Sequence, residues 1–198
     1  MVGAGIVKAL SDSVTPQGIV AVARSPLRAL DEIGLTSGLV LVLVAVSDPG
    51  NAGTLVRTAA AGGADGVVLT TGSADVLNPK TVRAAAAALF EVPLVADVAL
   101  ADASDRLRSL GYQMVGADGG ASTTIYEVDL RKPTAIVVGN EARGLSLDHQ
   151  RLLDVAASIP MPGRVESLNV AMAGSITVFE CLRQRQLSSG DFEGVPVE

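Results

Sequence analysis

Three segments of this 198-residue chain set polar, chemically capable side chains among turn-forming glycines and prolines. The first, "SDPGNAGTLVRTA", runs from Ser47 to Ala59, and its Asp48-Pro49-Gly50 turn leads to Asn51, which can begin a helix that carries Arg57. Asn51 and Arg57 stand close to two helical turns apart, so an amide and a guanidinium can project on a similar side. The second, "VVGNEARGLS" from Val137 to Ser146, ends an apolar run in Gly139, where a backbone can approach a ligand closely. Asn140 and Glu141 follow, and Gly144 permits a sharp reversal. The third, "IPMPGRVESLNVAMAGSI" from Ile159 to Ile176, joins an apolar run to an apolar helix through Pro, Gly and the polar cluster Glu166-Ser167-Leu168-Asn169. Each has a bland alternative: a capped helix with a solvated Arg57, a Glu141 paired with Arg143 or Arg57, and a turn ahead of a helix cap.

Short apolar runs position these segments. They are Leu39–Val46, Gly66–Thr70, Pro93–Val98, Tyr112–Ala117, Thr134–Gly139 and Val155–Pro160. Their β-branched, non-alternating character predicts strands covered on both faces, as in a parallel sheet. Helix-period stripes lie between them: Leu55, Val56, Ala59 and Ala60; Val82, Ala86, Leu89 and Phe90; Leu100, Leu107 and Leu110; and Met172, Ile176, Phe179 and Leu182. Alternating strands and helices define an α/β fold, a mostly parallel sheet with helices on both faces, whose ligand sites lie beyond the strands' carboxyl ends. Ahead of it, a turn at Thr15-Pro16-Gln17-Gly18 and a strand-like run, Ile19–Ala23, read as the tail of a preceding domain. Ser25–Ser37 reads as a linker with a helical turn or two. The expected division is 1–36 as that remnant and linker, 37–187 as the main domain and 188–198 as a frayed tail.

Composition narrows the chemistry. Hydrophobic content of 48% excludes disorder, and only 3% is aromatic, so Ala, Val, Leu and Ile must build the core. A net charge of −6 argues against indiscriminate nucleic-acid binding while leaving room for a local basic patch. Cys181 and His149 each stand alone, which disfavours a disulfide framework, a Cys- or His-rich metal centre and a Ser-His-Asp triad. Cys181 and Met172 read as helix packing, His149 as a surface or cap residue, and Met161 as either core or ligand wall. "VGADGG" (Val115–Gly120) lacks the glycine spacing of a dinucleotide loop. No signal-like start is present, and "GLVLVLVAV" is too short for a spanning helix, so a cytoplasmic protein without a membrane partner is expected.

Taken in order, the three segments resemble the motifs of the SpoU branch of the SPOUT methyltransferases, which methylate ribose 2′-hydroxyls of tRNA and rRNA, close to the rRNA and thiostrepton-resistance-type members. The first matches at Asp48, Pro49, Asn51, Gly53 and Arg57. The second matches at Gly139, Asn140, Glu141, Gly144 and Leu145. The third matches at Ile159, Pro160, Met161, Ser167, Leu168, Asn169 and Val170. Together they cover Leu39–Leu187. "NPKTVRAAAAALFEVPL" (Asn78–Leu94) fits a substrate-side helix, with Ala85 and Ala87 where the family commonly has Ser and Gly.

The resemblance implies a deep C-terminal trefoil knot, a homodimer formed through the knot region, and S-adenosylmethionine held without a metal. It places the cofactor against Gly139, Ile159 and Leu168, with Thr70, Gly116, Asn140, Met161 and Asn169 as neighbours. Unpaired N–H groups at a helix start suit that task. Arg57 would activate the ribose hydroxyl; its guanidinium is a poor base, so a phosphate clamp is favoured over proton abstraction. Asn51, Glu141, Ser167 and Asn169 would orient the reacting groups. Arg57, Lys80, Arg83, Arg143 and Arg164 would form a local RNA-binding patch. The competing expectation is a non-catalytic RNA-binding or assembly module that keeps the fold.

Overall fold

Leu39–Leu43, Gly66–Thr70 and Thr134–Val138 are buried along their whole length, as strands sandwiched between helices must be. They form β1, β2 and β5 of a six-stranded sheet in the computed structural model, which describes residues 4–10, 18–165 and 167–189. The remaining strands are β3 (Leu94–Val98), β4 (Gln113–Ala117) and β6 (Val155–Ala157). Every strand pair is parallel, and the spatial order is β3-β2-β1-β5-β4-β6. The chain therefore winds outward from β1 to β3, crosses over to β4 and returns to place β5 beside β1. Connections leave the β1/β5 junction in opposite directions, which opens a crevice at the strands' carboxyl ends.

The helices are α1 (Ala4–Leu10), α2 (Pro49–Ala61), α3 (Pro79–Ala85), α4 (Leu100–Ser109), α5 (Leu147–Gln150) and α6 (Val170–Ser189). Leu55, Val56 and Ala59 of α2 join Val178 and Cys181 of α6 on one face of the sheet. Leu100, Ala103 and Leu107 of α4 cover the other face together with Ile33. Caps set the starts. The Asn51 N–H donates to Asp48 Oδ1 at 2.9 Å, so α2 begins at Pro49, earlier than the expected start at Asn51. Asn78 caps α3 in the same way, accepting from the Lys80 N–H at 2.9 Å.

Several expectations are corrected. Ile19–Ala23 is not a strand, and Val22 is fully exposed. Pairing begins later, where Leu27 bridges to Leu94 and the Arg28 N–H donates to the Leu94 carbonyl at 2.7 Å. Packing on the sheet thus extends back to Leu27. Residues 11–17, which include most of the expected turn, and 190–198 of the expected tail lie outside the described residues, as does Glu166. The stripe Val82, Ala86, Leu89 and Phe90 is not one continuous helix. Ala86 takes a left-handed φ of 52°, after which a 3-10 segment, Ala86–Phe90, buries Leu89 and leaves Phe90 exposed. Met172 is 57% exposed rather than core. Helix α6 turns Val170, Ala171, Gly174 and Val178 inward, because a residue without a bulky side chain is needed where α6 crosses Leu55. Met172 and Phe179 of the expected stripe consequently face out, while Ile176 and Leu182 are half-buried.

Helices α2 and α3 touch through glycine. A Cβ on Gly53 would lie 2.5 Å from the Thr81 carbonyl oxygen, 2.6 Å from Ala84 Cβ and 2.9 Å from the Ala85 nitrogen. Gly53→Ala is expected to destabilise the protein by about 1–3 kcal/mol through overpacking, despite the better helix propensity of Ala. Urea unfolding of the two proteins measures this.

Candidate functional site

The β1/β5 pairing brings the loops after these strands side by side, and one carboxylate ties them. Glu141 accepts from the Ser47 N–H and hydroxyl at 3.3 Å each, from the Asp48 N–H at 3.1 Å and from Asn51 Nδ2 at 3.2 Å. Asn140 Nδ2 adds a longer contact to the same carboxylate at 3.3 Å and donates to the Ala45 carbonyl at 2.8 Å. Ala45, held left-handed at φ 50°, is gripped from the other side by Thr70, whose hydroxyl accepts its N–H at 3.1 Å. Desolvation pushes the Glu141 pKa up, but hydrogen bonds from its own backbone and from Asn51, Asp48 and Ser47 outweigh it and hold the group below the usual glutamate range.

The third segment joins through Asn169. Its Nδ2 donates to Asn51 Oδ1 at 3.0 Å, while its own Oδ1 accepts from the Ala171 N–H at 2.8 Å and the Met172 N–H at 3.3 Å. Asn169, not Ser167, therefore caps α6 and also links it to α2. A chain of side chains, Glu141–Asn51–Asn169, spans all three motif segments.

Next to this chain lies a cleft of about 260 Å³ at the carboxyl ends of β4, β5 and β6. Gly139, Asn140, Glu141, Ile159, Met161, Ser167 and Leu168 line it. Thr70, Gly116 and Asn169, also expected beside the cofactor, do not. Thr70 is spent on Ala45, and Gly116 sits beneath Leu153, whose Cδ1 occupies the space a Cβ would need. Gly139 has a different reason for being glycine from the one expected. A Cβ there would strike the Gly144 and Leu145 backbone, where Asn140 and Gly144 exchange hydrogen bonds of 3.2 and 2.8 Å to close a tight loop. Asp118 was missed by sequence reasoning. It lines the cleft just past β4 and is steadied by Gln150 Nε2 at 3.0 Å and the Gly120 N–H at 2.9 Å. Its place after a strand's carboxyl end was the available signal.

The basic candidates divide. Lys80 pairs with Asp48 at 3.3 Å, both well exposed, a contact of little energetic weight. Arg57, Arg83, Arg143 and Arg164 are exposed, and their guanidinium groups make no hydrogen bond or ion pair with any described residue. Glu141 pairs with neither Arg57 nor Arg143. His149 is half-buried inside α5, where Ser146 is the cap, and Cys181 is buried against the Leu130 carbonyl. Among the described residues no cluster of His, Cys, Asp and Glu could hold a metal, and no helix is long and apolar enough to cross a membrane.

A parallel α/β sheet with its crevice at the β1/β5 junction, bearing these three linked loops, places the chain in a known class. It belongs to the SpoU rRNA Methylase family, which matches residues 38–179. Among its relatives, a 23S rRNA (guanosine-2′-O-)-methyltransferase RlmB from Xylella fastidiosa is 40% identical over 149 residues, covering 75% of this chain and 60% of the relative. The 23S rRNA (guanosine(2553)-2′-O)-methyltransferase RlmP of Bacillus subtilis is 37% identical over 171 residues, 86% of this chain and 67% of that one. The solved structure of the SpoU methyltransferase AviRb from Streptomyces viridochromogenes in complex with AdoMet superposes with a TM-score of 0.75 at 32% identity. That match covers 79% of this chain and 62% of AviRb. The chain thus spans about three-fifths of the length of some of the relatives it matches.

Glu141→Gln replaces an acceptor-only group with an amide that faces N–H donors. It is expected to cost about 1–2 kcal/mol at pH 7, the exposed position keeping it modest. Because the folded carboxyl titrates below its ordinary value of 4.5, its contribution is complete above that value and fades as pH falls through the depressed one. The wild type and the variant should therefore converge in acid, measured by urea unfolding across that range.

Proposed function

We propose that this chain transfers a methyl group from S-adenosylmethionine to a ribose 2′-hydroxyl in rRNA or tRNA. The carrying observation is the Glu141–Asn51–Asn169 chain beside the cleft, with Arg57 on the same helix as Asn51 and free of any described acid. The cleft suits the cofactor. Ile159, Met161 and Leu168 offer apolar wall, the loop backbones of Gly139 and Leu168 are open to it, and Asp118 and Glu141 give it negative character toward a cationic sulfonium ligand. When bound, the cofactor supplies an electrophilic methyl group.

The protein's own work is positioning. Arg57, held on α2, clamps the phosphate beside the target nucleotide and stabilises charge developing at the 2′-oxygen. Asn51 and Asn169 fix α2 against α6, and Glu141 locks the loop ahead of α2, so the guanidinium is presented from a rigid base. Ser167 stands at the cleft wall, ready to orient the ribose or cofactor. Arg83, Arg143 and Arg164 provide further phosphate contacts, and Lys80 joins them when it leaves Asp48. Hydrogen bonds between Gln184 and Arg185 of α6 and the Val128–Lys132 stretch support a knotted C-terminal segment. Outward-facing Met172, Phe179 and Leu187 on α6 support a homodimer formed through that helix. The relatives' rRNA substrates support a cytoplasmic location for such an enzyme.

Arg57→Ala should leave cofactor binding within a few-fold by calorimetry and reduce single-turnover methyl transfer to rRNA by roughly a hundredfold or more. Arg57→Lys should not rescue it, since a point charge cannot reproduce the planar fork. Near-normal turnover in Arg57→Ala would remove Arg57 from the mechanism. Cofactor binding without methyl transfer to any rRNA or tRNA by the wild type would leave a binding module in place of an enzyme.

A further inference from the structure

A second groove, of about 360 Å³, lies away from the cleft, between the Arg24–Arg28 stretch and the segment from Leu89 to Pro93. Its occupant must account for three features. Phe90 is 60% exposed, although the chain has only three phenylalanines and no tryptophan. That exposure follows from the left-handed break at Ala86, which ends α3 and turns the next residues into the 3-10 segment. Arg24 and Arg28 line the same groove, and their guanidinium groups make no hydrogen bond or ion pair with any described residue. The backbone of Arg28 is nevertheless fixed, donating to the Leu94 carbonyl at 2.7 Å, so this basic stretch is held beside Phe90. Glu91 is the one acid in the lining, set against the two arginines.

Helix α3 and the 3-10 segment after it lead along the chain from the candidate site's side to the groove. Helices α2 and α3 run side by side, with Gly50 near Lys80 and Gly53 against Thr81, Ala84 and Ala85. Arg57, one turn beyond Gly53, therefore stands level with the 3-10 segment that leads to Phe90. Exposed Arg57 on α2 and exposed Lys80 and Arg83 on α3 add cations to these two adjacent helices, on a chain whose net charge is −6. Concentrating unpaired arginines around an exposed aromatic ring, against that acidic background, fits a ligand with regular negative charges and flat rings.

We propose that this groove docks a single RNA strand that continues from the target nucleotide, with one base stacked on Phe90 and flanking phosphates held by Arg24 and Arg28. This rests on the methyltransferase reading for the choice of RNA. The groove gives the enzyme a grip on the strand beside the methylated position that is independent of base-edge contacts.

The test is fluorescence anisotropy of the full chain with a labelled 12-nucleotide RNA lacking self-complementarity, across a potassium chloride series. Arg24→Ala/Arg28→Ala is expected to weaken binding about tenfold or more and to flatten the salt slope by roughly 1–2. Phe90→Ala should weaken binding by about five- to a hundredfold with no change in slope, Phe90→Tyr should keep affinity, and Phe90→Leu should behave like Ala. Cofactor binding by calorimetry should stay within twofold in all four variants. Wild-type protein that does not bind the RNA, Arg24→Ala/Arg28→Ala or Phe90→Ala within twofold of wild type, or full rescue by Phe90→Leu would each overturn the proposal. Self-association that Phe90→Ala abolishes while RNA affinity is unchanged would assign the groove to a second copy instead and overturn it too. Should methyl transfer proceed with these variants binding normally, the docking site falls and the function stands. Should the RNA signatures appear without cofactor binding, the function falls and the docking site stands.

Discussion

A carboxylate at the end of a buried strand must find donors or remain in water, and Glu141 finds most of them at one neighbouring loop and helix start. Its oxygens accept from Ser47, Asp48 and Asn51, which ties the exit of β5 to the entrance of α2. The connection is possible because β1 and β5 pair directly, Val42 opposite Val137 and Leu43 opposite Val138, though the residues lie far apart in sequence. Take away that register and Glu141 loses its partners on the neighbouring loop; take away Glu141 and unpaired N–H groups remain there.

From that tie the rest of the site is built by side chains that each serve twice. Asp48 caps α2 and offers its own N–H to Glu141. Asn51 donates to Glu141 and accepts from Asn169, and Asn169 in turn caps α6. Each amide uses both ends, which fixes its orientation and leaves little rotational freedom. Arg57 inherits that rigidity through the backbone of α2 while keeping its own guanidinium unengaged.

Two further anchors hold the frame in which this happens. The Asp65 carboxylate accepts the N–H groups of Thr36, Ser37 and Gly38 and the Tyr112 hydroxyl. Burial alone would raise its pKa, yet these bonds keep it below the ordinary aspartate range. Arg185, near the end of α6, donates to the carbonyls of Ser37, Gly38, Leu130 and Lys132. Both anchors converge on the entry to β1, the strand from which the site's first loop emerges.

Local sequence determined a good deal. Continuous β-branched runs specified the strands to within a residue or two at most ends, since full burial on both faces leaves a pattern that only a covered strand shows. The three motif segments carried the family and the polar chain Asn51, Glu141 and Asn169. Tertiary structure decided the rest. Which face of α6 is buried depends on where Gly174 can meet Leu55, and a stripe of Met172 and Phe179 reads equally well as core or as an outward face. The break at Ala86 is a backbone state that an alanine run does not announce, and it alone turns Phe90 outward. Gly139 was legible as a place of close approach, but its neighbour proved to be the Gly144 backbone, because the sequence records that a side chain is missing and only the packed fold shows what fills the space.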